Sequence, residues 1–189
     1  MDLLELLYDY FEDRPHAAAL IRQRRPYALG LLGALAGSGS YFVAKAAAGR
    51  LIFLPLSWPS FLLALLWQGV LIFALTAVLH LLLDMTGARG DAGALFVHLG
   101  LSELAWLAAL PVSLVMQALF PHSPWPLRLG LLAVAVWSLA LKARGVRDEY
   151  GVGQARAWAT LALPYLGLAS LAAFTTTLGM AALVIKALS

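Results

Sequence analysis

The chain has 189 residues, of which 62% are hydrophobic and only 12% charged, with a formal net charge of +3 and no cysteine. A soluble domain has roughly 25% charged residues, and one of this size cannot bury so large an apolar excess. The composition therefore predicts an all-α integral membrane protein, and it excludes disulfides, thiolate metal sites and cysteine nucleophiles. The charge is too small to indicate a nucleic-acid partner.

The first 25 residues precede the apolar stretches and predict a short amphipathic helix. Residues 2–13 are too short and too charged to cross a bilayer. One face of this helix is apolar and the other acidic; the apolar face consists of Leu3, Leu6, Leu7, Tyr10 and Phe11. Two arrangements are open: the helix lies in the membrane interface, or it packs on the protein's own cytoplasmic surface.

Five apolar stretches follow, each a candidate for crossing a bilayer. They cover residues 27–48, 60–83, 92–120, 127–143 and 158–185. We therefore predict a five-transmembrane-helix bundle over residues 26–189, preceded by the cytoplasmic amphipathic segment 1–25. In the first stretch Gly33 and Gly37 are four residues apart, as are Ala36 and Ser40. This spacing lets helix backbones approach closely, so we predict a packing face within the bundle.

The third and fourth stretches are less regular. Glu103 interrupts the third, and Pro111 predicts a kink in it. The fourth is short, so Arg128 and Lys142 at its ends are expected to extend their charged groups outward to the interface. Residues 144–154 are expected to form a polar loop.

The basic residues divide unequally between the two sides of such a bundle. With the N-terminus inside, nine lie on the inner side: Arg14, Arg22, Arg24, Arg25, Arg89, Lys142, Arg144, Arg147 and Arg156. Four lie on the outer side: Lys45, Arg50, Arg128 and Lys186. The positive-inside rule places the N-terminus in the cytoplasm and the C-terminus outside. Ten Arg against three Lys in an Ala- and Leu-rich chain favours a bacterial inner membrane.

Residues 86–91 (TGARGD) form a polar hinge between the second and third stretches. Backbone amides and Arg89 could bind a phosphate or a lipid headgroup here, although no phosphate-binding loop motif is present. The favoured interpretation is a tight turn, in which Gly87 or Gly90 supplies a positive φ and Asp91 caps the third helix.

A candidate polar pocket consists of Glu103, His80, Asp84 and His98. A carboxylate inside a span normally faces the bundle interior and has a partner. Glu103 is therefore either a proton- or cation-binding group or a hydrogen-bonded link between helices. The four side chains could converge on a metal ion, but their spacing is not that of a known metal motif, and we predict neither a metal nor another cofactor. Since no nucleophile elbow or paired intramembrane aspartates are present, we predict a non-enzymatic protein.

Several segments together resemble the Yip1 domain family, particularly its small bacterial members. They are Leu7-Tyr8-Asp9 to Arg24-Arg25-Pro26, Leu79-His80 to Gly87-Ala88-Arg89-Gly90, Gly100-Leu101-Ser102 to Pro111, and Val136-Trp137-Ser138-Leu139 to Gly145 through Gly151. The resemblance implies a multi-pass membrane protein. Eukaryotic members are associated with Rab GTPases and vesicle trafficking, but their cytoplasmic extension is reduced here to about 25 residues, and Rab binding is not carried over.

Two functions are compatible with these features. The first is a Yip1-like role in membrane organisation, trafficking or partner recruitment. The alternative is a small ion or lipid carrier or channel that uses the pocket around Glu103. The expected partners are membrane lipids, other membrane proteins or a second copy of the chain, and not nucleic acid.

Overall fold

The structure, a computed structural model, describes residues 3–49 and 55–188. The described residues are all-helical, with 87% in helix and no strand among them. The helices are α1 (Leu3–Glu12), α2 (Arg14–Arg24), α3 (Tyr27–Ala47), α4 (Trp58–Met85), α5 (Ala92–Ser102), a 3-10 helix (Glu103–Ala108), α6 (Ala109–Leu119), α7 (Trp125–Tyr150) and α8 (Gln154–Leu188). Five segments of the described chain are long and apolar enough to cross a membrane: α3, α4, the continuous run from α5 to α6, α7 and α8. The predicted helical class and the five apolar helices are thus confirmed.

Helix α5 lies at the centre of the bundle. It packs against α3, α4 and α7, and its residues from Ala94 to Ser102 are nearly all buried. A helix that is apolar on all sides is either a core helix or a membrane span, and the sequence ALFVHLGLS meets that description apart from His98 and Ser102. In contrast, α4 and α8 lie at the edge and leave most of their large side chains exposed.

The N-terminal helices α1 and α2 pack on α5, the central helix of the bundle. Leu6, Tyr10 and Ile21 are buried in one cluster with Val97 and other side chains of the bundle. The Tyr10 hydroxyl donates a hydrogen bond to the backbone carbonyl of His98 at 3.2 Å. Leu6 and Tyr10 of the predicted apolar face therefore contact the protein itself, whereas Phe11 is 47% exposed. The side chain of Leu3, predicted on the same face, lies outside the described part.

The hinge between α4 and α5 is a tight turn, as the sequence predicts. Gly87 has a φ of +76°, which glycine adopts without steric cost, and the next amide, Ala88 N–H, donates to the Leu83 carbonyl. The Asp91 side chain accepts a hydrogen bond from Ala94 N–H at 2.8 Å and so caps α5. Gly90 lies against the ring of Tyr150, where a β-carbon would come within 2.7 Å of ring atoms.

Helix α7 continues to Tyr150, so the predicted polar loop 144–154 is wrong for residues 144–150. Ala143, Val146 and Tyr150 are buried in the main core, and this helical spacing extends the buried face beyond the apolar stretch. Arg144 and Arg147 lie on the exposed side of the same turns. The polar residues made this segment resemble a loop in sequence, while burial on one face keeps it helical.

Helix α3 approaches α5 at its small residues. A β-carbon on Gly33 would lie 2.8 Å from the carbonyl oxygen of Gly100, and one on Gly37 would lie 2.8 Å from the carbonyl carbon of Glu103. The predicted packing face is therefore confirmed for Gly33 and Gly37. Ser40 also faces this interface, whereas Ala36 is exposed.

Candidate functional site

An ion pair between Glu103 and Lys142 lies inside the bundle of apolar helices. Glu103 Oε1 is 2.6 Å from Lys142 Nζ, and the two side chains are only 8% and 6% exposed. Lys142 Nζ also donates to Ser138 Oγ, one turn earlier on α7, at 2.9 Å. Loss of one charge would leave the other buried without its partner, which is strongly unfavourable. The pair therefore links the central segment to α7.

The prediction that Lys142 extends outward is wrong, because α7 is longer than the apolar stretch suggests. Two further turns follow Lys142 before the helix ends at Tyr150, so the lysine stem cannot reach the end of the bundle. Glu103 supplies the opposite charge instead. Arg128, near the other end of α7, is exposed and lies over the ring of Trp125, 5.1 Å from its centroid.

The backbone from Glu103 to Ala108 departs from α-helical geometry a few residues before Pro111. Pro111 has no N–H for the carbonyl four residues earlier, and its ring crowds that carbonyl. The carbonyl belongs to Leu107, and it accepts a hydrogen bond from Ser40 Oγ at 3.2 Å. The 3-10 helix Glu103–Ala108 precedes this carbonyl contact and begins at the residue that carries the charge.

A cavity of about 850 Å³ adjoins the ion pair. Its walls come from α3, α4, the 3-10 helix, α7 and α8. Besides the ion pair, its polar and aromatic lining residues are Ser38, Tyr41, Gln68, Trp106, Ser138 and Tyr165. The rest of the lining is mainly aliphatic, and the volume falls in the range of roughly 300–1,000 Å³ found for small-molecule sites.

The cavity has its most exposed walls on the two peripheral helices. Leu71 and Val78 of α4 are 41% and 43% exposed, and Leu168 and Leu171 of α8 are 65% and 59% exposed. All four side chains line the cavity. The cavity is therefore open to the outside of the bundle at α4 and α8, while Glu103 and Lys142 in its wall are buried.

The four residues of the predicted polar pocket do not share one site. Glu103 lines the cavity, and the other three are absent from its walls. His80 Nδ1 lies 2.5 Å from the Tyr150 hydroxyl, Asp84 is exposed near the end of α4, and His98 is buried beside the ring of Tyr10. Across residues 3–49 and 55–188, no group of three or more His, Asp or Glu side chains is placed to hold a metal ion.

The hinge belongs to a separate network at the end of the bundle where α2, α5, α7 and α8 meet. Arg25 Nη2 contacts Asp91 Oδ2 at 2.8 Å, and Glu149 accepts a hydrogen bond from Asp91 N–H at 2.9 Å. Arg22 pairs with the same Glu149 at 3.4 Å. Since the Asp91 carboxylate already occupies the amino end of α5, the geometry does not favour an anion there. Arg89, the cation of the predicted hinge, is exposed.

Sequence reasoning missed Lys142 as the partner of Glu103. A partner inside the bundle was expected, but Lys142 borders the apolar core of the fourth predicted span just as Arg128 does. Ser138, four residues earlier on the same helical face, is a further polar residue in that span. What the sequence lacked was the length of α7, which determines whether the lysine lies at an end or inside.

No family model matches the chain, and neither a curated protein nor a solved structure matches it. The resemblance to the Yip1 domain family stays a hypothesis drawn from sequence features. The cavity and the ion pair in its wall are the features of the described residues that bear on function.

Proposed function

We propose that the five apolar helices span a membrane and that the cavity beside Glu103 and Lys142 binds a lipid-like molecule. One observation carries this proposal: a buried ion pair forms part of the wall of an otherwise largely apolar cavity. Charged groups within spans are costly and typically mark ligand or ion pathways. An apolar cavity with few polar groups at one end is the usual form of a binding site for an amphiphile.

The ion pair favours a lipid-like ligand over a cation. Lys142 Nζ already lies at the Glu103 carboxylate, in the position that a bound cation would take. A cation would have to displace an ammonium group that has a second hydrogen bond to Ser138. We therefore propose a non-enzymatic protein that binds or carries lipids, and not an ion channel.

The proposal is tested by a substitution that fills the cavity with a larger side chain and leaves its charges unchanged. Ala135 lines the cavity, so Ala135→Trp should abolish the binding of long-chain amphiphiles by the purified protein, as counted by native mass spectrometry. Ala133→Trp is the matched control, because Ala133 is exposed on the same helix and is not part of the cavity wall. Reconstitution into liposomes then measures whether the bound molecule also crosses the bilayer. If wild type binds no amphiphile, or if both tryptophan variants bind equally well, the proposal is wrong.

Partner recruitment in a Yip1-like manner is a second proposal, which helix α8 supports. Beyond Pro164 its large apolar side chains are exposed on every side of the described helix: Leu166, Leu168, Leu171, Phe174, Leu178 and Met180. Another membrane protein or a second copy could pack there. Because the chain lacks cysteine, Phe174→Cys permits cross-linking in native membranes, with exposed Ala133→Cys as the control. Equal cross-linking at the two positions would count against a specific interface on α8.

We further propose that the membrane is a bacterial inner membrane, with the N-terminus and the hinge in the cytoplasm and the C-terminus outside. This assignment is supported by the distribution of Arg and Lys between the two ends of the helices.

A further inference from the structure

We propose that the ligand of this cavity has a head without net charge that carries carbonyl acceptors, attached to a long apolar chain. This inference rests on the proposed function, because it assigns a chemical class to the molecule that the cavity binds. Ring carbonyls of a quinone and ester carbonyls of a diacylglycerol share this chemistry.

A headgroup with a net charge would be unfavourable in this cavity. Glu103 and Lys142 neutralise each other at 2.6 Å and are both buried. A headgroup with a net charge would add an uncompensated charge to a site of low dielectric, and the surrounding protein offers no second counter-charge: Glu103 and Lys142 are the only Asp, Glu, Lys or Arg residues that line the described cavity. An uncompensated buried charge is strongly unfavourable. A head without net charge avoids this cost.

The hydrogen-bonding groups that line the cavity include obligate donors. Trp106 and Lys142 side chains can only donate, while the carboxylate of Glu103 can only accept. The carboxylate accepts from Lys142 through Oε1, and the hydroxyl and amide groups of the other polar lining residues can donate or accept. The rings of Tyr41 and Trp106 lie 4.7 Å apart in the same wall. Donors next to aromatic faces favour a ligand that supplies acceptors, and carbonyl oxygens are neutral acceptors of this kind.

The apolar part of the cavity can accommodate the chain of the ligand. From the ion pair the cavity continues along Leu75 and Val78 of α4 and along Leu168 and Leu171 of α8. Three of these four side chains are more than 40% exposed. A long apolar chain can therefore pass between α4 and α8 into the surrounding lipid and still leave the head at the buried end.

The wild-type protein provides the first test. Purified in a non-ionic detergent, it is titrated with decylubiquinone, dioctanoylglycerol and dodecanoate, and binding is followed by quenching of tryptophan fluorescence and by native mass spectrometry. We expect at least one neutral probe to bind about tenfold or more tightly than dodecanoate. The two neutral probes distinguish a quinone from a glycerolipid. Equal or tighter binding of dodecanoate would overturn the inference.

The second test removes the charge of Glu103 and measures whether the cavity then binds a carboxylate more tightly. In Glu103→Gln, Lys142 lacks its counter-charge, and the carboxylate of a fatty acid can take the position of the lost one. We expect dodecanoate binding to strengthen about tenfold or more relative to wild type. Asp84→Asn removes the same charge at an exposed position outside the cavity and should bind all three probes as wild type does. No gain in dodecanoate binding by Glu103→Gln would contradict the inference.

A double variant tests the same explanation if a single variant fails to fold. Glu103→Gln with Lys142→Gln leaves no unpaired buried charge, so it should keep neutral-probe binding without gaining affinity for dodecanoate. A gain in that variant would refute the electrostatic explanation. The failures are distinguishable: if no probe binds in a manner sensitive to Ala135→Trp, the proposed function is wrong, whereas cavity binding with a preference for dodecanoate contradicts only the neutral-head inference.

Discussion

Glu103 and Lys142 are each unfavourable inside an apolar bundle when taken singly, and they become compatible with it only as a pair. The short contact between them, with the added hydrogen bond to Ser138, offsets part of the cost of removing two charges from water. The sequence indicated that Glu103 needs a partner. It could not identify that partner, because the two residues are distant along the chain and meet only when α7 packs beside the central segment.

Lys142→Gln should lower the free energy of unfolding by on the order of 3 kcal/mol, because it leaves the Glu103 carboxylate buried without a counter-charge. Glu103→Gln should have a similar effect, and the double variant should be more stable than the sum of the two single effects predicts. The free energy of unfolding is measured in detergent micelles for wild type, the two single variants and the double variant. Additive effects of the two substitutions would mean that the ion pair contributes no coupling.

Helix α3 and the central segment position this pair by direct backbone contact. Gly37 lies against the backbone of Glu103 itself, and Ser40, one turn later, binds the carbonyl that Pro111 leaves without an amide partner. The glycine spacing predicted that α3 has a packing face. Which helix it meets, and the fact that the contact lies at the charged residue, depend on the arrangement of the whole bundle.

Gly37→Ala should destabilise the protein by about 1–3 kcal/mol, the usual cost of overpacking, because its β-carbon would overlap the Glu103 carbonyl. It should also weaken ligand binding by displacing Glu103. Gly39→Ala is the matched control in the same helix, since its β-carbon would lie 3.6 Å from the ring of Phe61, an ordinary contact distance. The thermal unfolding temperature and the ligand affinity are measured for both variants. Equal tolerance of both substitutions would contradict the close approach.

At the scale of the whole molecule, the position of Lys142 also changes the charge balance between the two ends. Lys142 lies inside the bundle, so eight basic residues remain for the inner side against four for the outer side, among which Arg50 lies outside the described residues. The charge asymmetry that supports the proposed orientation is therefore smaller than the sequence suggested but keeps its sign. The network of Arg22, Arg25, Asp91 and Glu149 gathers at the end of the bundle that is proposed to be the inner one.

A reporter active only outside the cytoplasm, such as alkaline phosphatase, should be active when fused to the C-terminus, because an odd number of spans places the two termini on opposite sides. The same reporter fused after Gly153, between α7 and α8, should be inactive. Activity assays on intact cells measure both fusions. An inactive C-terminal fusion and an active one at Gly153 would reverse the proposed orientation, and equal behaviour of the two would contradict a fifth span.

The sequence by itself determined the helical class, the number of long apolar helices, the glycine turn and the cap at Asp91, because each of these depends on composition or on neighbouring residues. Tertiary structure decided the rest. It placed α1 on α5, extended α7 through Tyr150 by burying one face of a polar segment, and separated His80, Asp84 and His98 from Glu103. It also brought Lys142 to Glu103 and formed the cavity beside them. These features depend on which helix faces meet, and the energy that selects them comes from contacts between residues far apart in the chain.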